Sequence, residues 1–115
     1  MTVREIQELL SLEVVAGAQG LERNVVGGYC GDLLSDVMGH ADNGMMWITI
    51  QSHKNIVAVA LLKELSAVIL AHGHRPDDDT RTKAEAEGIP ILLSPLPIYQ
   101  LAGQLFDAGI GLERR

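Results

Sequence analysis

The chain has 115 residues, 47% of them apolar and 21% charged, which is typical of one globular domain and excludes a disordered chain. Its formal net charge of −6 argues against nucleic acid and anionic membranes as partners, because both are bound largely through Lys and Arg. One cysteine, and no apolar run near the roughly 20 residues that span a bilayer, predict a single domain over residues 1–115 in the cytoplasm.

The N-terminal part contains short elements separated by glycines. Apolar residues at helical spacing predict a helix over Val3–Leu10, and a strand is expected to begin at residues 13–15. Gly17 and Gly20 indicate turns, and a second strand is expected around residues 25–26.

A glycine cluster at residues 27–31 is predicted to form a tight turn before a helix over Asp32–Met38. It lacks the lysine and hydroxyl of a phosphate-binding P-loop, so ATP chemistry is not expected. Cys30 is expected to be a small buried residue, since no adjacent His or second Cys supports a nucleophile. Large apolar residues are assigned to the core, namely Met38, Met45, Met46 and Trp47.

Three continuous apolar runs follow one another from residue 45 onward, each leading through a polar turn into a helical segment. The runs are Met45–Ile50, Ala67–Ala71 and Ile89–Leu93. Unbroken apolar strands are buried on both faces, and this alternation is typical of parallel strands joined by crossover helices. The predicted fold is therefore mixed α/β, a small sheet with mainly parallel central strands.

The helices of this half differ in their surroundings. The first, His53–Leu65, is apolar nearly all round, which predicts that it is covered on most sides and suggests a subunit interface. The second, Asp77–Glu87, begins with acidic residues and should end at Gly88. The last, Ile98–Ala108, is expected to pack through one apolar stripe, formed by Leu101, Ala102, Leu105 and Phe106.

Ligands of parallel α/β sheets bind outside the carboxyl ends of the strands, where turn amides and helix N-termini gather. The turns at residues 51–55, 72–77 and 94–97 should share that edge. Ser52 is expected to cap the following helix, and Lys54 suits an anion; capping within a solvated turn is the alternative. The predicted ligand site consists of Gln51, Ser52, His53, Lys54, Asn55, His72 and Gly73.

Histidines near the same edge raise the alternative of a metal site. His72 and His74 would lie on one side of an extended chain, with His53 and the acidic residues 77–79 nearby. No Cys pair or HExxH helix accompanies them, so a polar loop is the preferred interpretation, and no metal or cofactor is expected.

Four segments, residues 28–39, 47–53, 55–60 and 87–90, together resemble the DRTGG family, and the likeness covers almost the whole chain. The resemblance implies an α/β domain similar to the N-terminal domain of HPr kinase/phosphorylase, found elsewhere attached to phosphotransacetylases and CBS-domain proteins. It further implies a regulatory or assembly element that commonly self-associates. The chain departs from the family pattern at residues 71–73, where Ala-His-Gly replaces the expected Thr-Gly-Gly.

These observations favour a regulatory domain without catalytic residues, which binds a small anionic metabolite or nucleotide and acts through a homodimer. A structural protein-interaction subunit without a small ligand is the second hypothesis, with the apolar helix and the C-terminal helix as its interface. A metal-assisted hydrolase using His53, His72 and His74, or a Cys30 nucleophile, comes third.

Overall fold

The computed structural model describes residues 1–111, in which five helices accompany five strands. No helix in this range is long and apolar enough to cross a membrane. The elements are α1 (Val3–Leu9), β1 (Glu13–Ala16), β2 (Gly27–Cys30), α2 (Leu34–His40), β3 (Met45–Thr49), α3 (Asn55–Leu62), β4 (Ala67–Leu70), α4 (Asp78–Glu87), β5 (Ile91–Leu93) and α5 (Ile98–Asp107), with a short 3-10 turn at Ala18–Gly20.

The strands form one sheet in the order β1-β5-β4-β3-β2. Strands β2 to β5 are parallel to their neighbours, and only β1 is antiparallel, where it pairs with β5. The prediction of a mainly parallel α/β sheet with crossover helices is confirmed. Because the parallel strands follow chain order, the turns that leave β3, β4 and β5 lie side by side along one edge.

Helices cover both faces of the sheet. Side chains of successive strand residues point to opposite faces, so in β3 Trp47 joins one core cluster while Met46 and Ile48 join the other. The first cluster contains residues of α2, α3 and α4, and the second contains residues of α1 and α5. All three side chains are fully buried, so β3 contributes to both cores.

Two predictions about residues 27–31 are wrong: the turn expected for the glycine cluster and the burial expected for Cys30. The glycine cluster was expected to be a turn, but Gly27–Cys30 forms a strand in parallel register with β3, beyond the strand expected at residues 25–26. Backbone pairing to a central strand overrides the weak strand propensity of glycine. The expected burial of Cys30 is also wrong, because it lies at the end of an edge strand and is exposed.

Two further side chains lie outside the core that was predicted for them. Phe106 is 60% exposed, whereas Leu101 and Leu105 of the same helix are buried. Phe106 follows Leu105 by one residue, a rotation of about 100°, which turns its ring away from the sheet. Met38 is 37% exposed, although the preceding residue of α2, Val37, is buried.

Helix α3 is covered on most sides, as its composition predicted. Four of its eight residues are buried, and it packs between α2 and α4 on the sheet. Among its apolar side chains, Leu62 is the exposed one, at 72%. The sequence suggested that a partner subunit covers this helix. Most of the cover comes instead from neighbouring helices of the same chain.

Candidate functional site

Three turns meet at the carboxyl ends of the parallel strands. The amide of Asp77, after β4, donates to the carbonyl of Ser52, after β3, over 3.1 Å. The amide of His72 donates to the carbonyl of Leu96, after β5, over 2.9 Å. Backbone hydrogen bonds thus join the predicted site residues into one rim, with the His72 turn between the other two turns.

Asp32, just after β2, holds the turn that follows β3. Its Oδ1 accepts from Oγ1 of Thr49 over 2.7 Å and from the amide of Ile50 over 2.9 Å. The side chain of Gln51 returns to the carbonyl of Asp32 over 2.8 Å. Gln51 is therefore engaged in fixing the rim. Asp32 could not be identified from the sequence because, with residues 27–31 assigned to a turn, nothing marked it as following a strand.

Ser52 does not cap α3, contrary to the prediction. Lys54 is the N-cap residue of that helix and makes no side-chain capping bond. Instead, Nδ1 of His53 accepts from the amide of Asn55 over 3.1 Å. Ser52 contributes its carbonyl, which also accepts from Oγ1 of the buried Thr80 in α4 over 2.8 Å. The helix begins two residues later than expected, so the side chain of Ser52 lies outside capping range.

Backbone donors remain open at the start of α3. Among residues 1–111 no acceptor is bonded to the amides of Ser52, His53 or Lys54. His53 and Lys54 are exposed at this point. Consecutive free N–H groups at the N-terminus of a helix, next to a lysine, are suited to an anion, since the helix dipole and the ammonium charge act in the same direction.

The turn after β4 has a different character. His72 and Gly73 have φ of 58° and 74°, and the amide of His74 donates to the carbonyl of Ala71 over 3.0 Å. Two central residues with positive φ are typical of a type I′ turn, so the extended conformation expected for His72 and His74 is wrong. The amides of His72 and Gly73 bond to the turn after β5, which leaves neither free for a ligand.

The histidines and acidic residues of the rim do not converge. Within residues 1–111 no group of three His, Cys, Asp or Glu side chains is placed to hold a metal ion. The alternative grouping of His53, His72 and His74 is therefore not formed among these residues. Metal-assisted hydrolysis gains no geometric support here.

Charges of both signs border the rim. Asp77, Asp78 and Asp79 open α4 next to Ser52, and their carboxylates oppose an anion in that direction. Beyond them, a shallow cleft of about 380 Å³ is lined by Arg75 and Arg81 together with Asp78. An anion at α3 is therefore favoured on the side of Lys54 that faces away from the α4 carboxylates.

Cys30 lies at the same edge, at the carboxyl end of β2. Although the residue is exposed, surrounding atoms desolvate its sulfur in part and raise the pKa of the thiol, and the neighbouring charge of Asp32 raises it further. A reactive cysteine requires the opposite shift, because the thiolate is the nucleophile. The surroundings of Cys30 thus favour the unreactive thiol.

The comparisons with known proteins agree with this architecture. The family described as the DRTGG domain matches residues 5–107. No curated protein sequence matches the chain.

A solved structure resembles the chain with a TM-score of 0.70 at 14% sequence identity, and the likeness covers 90% of this chain. That structure contains the CBS and DRTGG domains of the regulatory region of Clostridium perfringens pyrophosphatase, complexed with its activator diadenosine tetraphosphate. This chain spans 45% of that chain's length. With a family match over most of its residues and a fold shared with a DRTGG-containing structure, the chain belongs to the DRTGG domain family.

Proposed function

We propose that this chain is a cytoplasmic regulatory domain without catalytic residues, which senses a small anionic metabolite or nucleotide at the carboxyl edge of its sheet. The observation that carries the proposal is the run of three free amides at residues 52–54, beside the Lys54 ammonium at the N-terminus of α3. Asp32 and Thr80 fix this turn from two sides, so its donors are preorganised.

Nucleotides are the first ligands to test. The structural relative was crystallised with diadenosine tetraphosphate, an activator that carries several phosphates. Phosphate groups are the anions that free backbone amides at a helix N-terminus bind well. A regulatory role of this kind is also what the resemblance to the DRTGG family implies.

Thermal unfolding measured with ATP, AMP, diadenosine tetraphosphate and inorganic phosphate tests the proposal. A ligand at about 100 times its Kd stabilises the folded state by about 2.7 kcal/mol, which is readily seen in Tm. Lys54→Gln should remove most of this response. Lys63→Gln, at the other end of α3, is the matched control and should retain it. If none of these anions raises Tm, the sensing proposal is wrong.

The domain is further proposed to act as a homodimer through the outer side of α3. Leu62 is 72% exposed there, at the end of an otherwise well-packed apolar helix. Sedimentation at micromolar concentration should show a dimer, and Leu62→Glu should convert it to a monomer, because a carboxylate is costly in an apolar interface. A monomeric wild-type protein would contradict the dimer.

A structural protein-interaction subunit is the second candidate, and the outer face of α5 favours it. Tyr99 and Phe106 are 89% and 60% exposed, and they flank Ala102 and Gly103 in a shallow groove. Exposed aromatic side chains are enriched where proteins associate. Phe106→Glu should weaken association in this case, and no anion should alter Tm.

A further inference from the structure

A second cleft lies at the opposite edge of the sheet, where the strands begin. It has a volume of about 510 Å³ and lies beside the carboxyl end of α3. Gly44 and Ser66, the residues directly before β3 and β4, contribute to its lining. None of the residues of the carboxyl-edge site reaches it, so the cleft is a separate feature of the molecule.

The cleft contains a buried hydroxyl without a partner. Ser66 is 2% exposed, and its Oγ is the one buried side-chain polar atom of residues 1–111 that makes no hydrogen bond. An unsatisfied buried polar group destabilises the folded state, and such groups in native proteins call for an explanation. A ligand that supplies the missing bond is one such explanation.

Opposite charges face this cleft without pairing to each other. Arg23 and Glu64 both line it, yet no ion pair within 4.0 Å joins them. One guanidinium nitrogen of Arg23 donates to the carbonyl of Leu65 over 3.3 Å, which leaves its other N–H groups available. Glu64 lines this cleft with a backbone φ of 52°, a strained value for a residue with a side chain.

The remaining lining completes a set of complementary groups. Asn24 and Asn43 provide amide groups, of which that of Asn43 donates to Oε1 of Glu64 over 3.5 Å. Leu61 provides the apolar surface, because Ile89 is only 1% exposed. The carboxyl end of α3 adds partial negative charge on the side of Glu64, which favours a cation there. The cleft therefore offers a cation-binding side, an anion-binding side and an apolar wall within one small volume.

We propose that this cleft binds a free α-amino acid with an apolar side chain. Its carboxylate would bond to Arg23 and accept from Oγ of Ser66, its ammonium group would bond to Glu64, and its side chain would pack against Leu61. A single-charge ligand would leave either Arg23 or Glu64 without its counterpart, so a zwitterion fits better than a simple anion or amine. This ligand differs from the anion of the proposed function, and the two sites lie at opposite ends of α3.

Calorimetry and thermal unfolding with L-leucine, L-methionine and L-phenylalanine test this proposal. At least one should bind, while isoamylamine and 4-methylpentanoate, which each carry only one of leucine's two charges, should bind about tenfold more weakly or not at all. Arg23→Gln and Glu64→Gln should each raise Kd by a similar factor. Lys54→Gln, at the other edge, should leave amino-acid binding unchanged, so failure of this site is distinguishable from failure of the anion site.

Ser66→Ala provides a readout that a purely structural role would not give. Removing the unpartnered hydroxyl should raise Tm of the free protein and at the same time weaken amino-acid binding. Three results would overturn the proposal: no common L-amino acid binds at millimolar concentration, the single-charge analogues bind as well as leucine, or adenosine or guanosine occupies the cleft instead.

Discussion

Oγ1 of Thr49 donates a hydrogen bond to Oδ1 of Asp32 across 2.7 Å, although 17 residues separate them. The same carboxylate oxygen accepts from the amide of Ile50, so one side chain from the end of β2 fixes the exit of β3. The free amides of the proposed anion site lie within five residues of this point. The conformation of the proposed anion site therefore depends on Asp32, which need not contact the ligand itself.

Asp32→Ala should destabilise the protein and loosen the turn after β3. Loss of hydrogen bonds to a charged acceptor costs about 1–3 kcal/mol, measured as the free energy of unfolding in urea. Anion affinity should fall as well, since the amides at 52–54 are no longer preorganised. Asp32→Asn keeps one acceptor oxygen and should cost less; equal stability of all three proteins would show that these bonds contribute nothing.

Neutralising the start of α4 should strengthen anion binding. Asp77 and Asp78 stand beside the Ser52 turn, and their charges oppose an incoming phosphate. The double variant Asp77→Asn, Asp78→Asn should lower the Kd of the bound nucleotide, and the gain should shrink at high salt because screening removes the repulsion. Glu87→Gln, at the far end of α4, is the control and should have no such effect.

Gly17 should tolerate no side chain. Its φ is +70°, and a Cβ built there would lie 2.0 Å from the carbonyl oxygen of Ile89. Gly17→Ala should therefore reduce the free energy of unfolding by more than about 2 kcal/mol, from strain and collision together. Gly39→Ala, in α2 with nothing within 4 Å, is the matched control and should raise stability by about 0.5–1 kcal/mol.

The raised pKa of Cys30 predicts that the folded protein loses stability at alkaline pH. Its pKa is raised in the folded protein, so above the ordinary thiol pKa of about 8.5 the unfolded chain loses this proton while the folded chain keeps it. The unfolded state then binds fewer protons, and the free energy of unfolding falls as pH rises. Below that range Cys30 has no effect on pH dependence.

Urea unfolding of wild type and Cys30→Ala, compared at neutral and alkaline pH, measures this contribution. The difference between the two proteins should change only on the alkaline side. Tyr29 is present in both, and its hydrogen bond to Asp36, the main cause of its raised pKa, is unchanged; the smaller part of that shift that comes from the charge of Cys30 is lost in the variant. A pH-independent difference would contradict the prediction.

The parallel half of the fold could be predicted because its strands are unbroken apolar runs. Each of the runs at residues 45–50, 67–71 and 89–93 contains a strand with both faces buried. Strand β2 could not be predicted, since its residues are Gly-Gly-Tyr-Cys, which form neither an apolar run nor an alternating pattern. Likewise, apolar spacing identified α5, but only the position of the sheet shows that Phe106 faces outward.

The position of the candidate site at the carboxyl edge of the sheet could be predicted from the sequence, but the hydrogen bonds within the site could not. Parallel strands require that the turns at 51–55 and 72–77 share an edge, and the structure brings them together. Which amides stay free could not be predicted, because it depends on long-range bonds such as that from His72 to Leu96. The amino-edge cleft was missed altogether, since Arg23 and Glu64 are 41 positions apart and belong to no motif.

The antiparallel edge of the sheet has a consequence for folding as the chain is synthesised. Strand β1 pairs with β5, where Glu13 lies opposite Leu93, so the partner of this early strand leaves the ribosome only after β2, β3 and β4. The later strands can assemble progressively with neighbours already made, whereas β1 must wait with its backbone groups unpaired. We expect closure of that edge to be the late, slow step, because distant contacts carry the larger cost of loop closure.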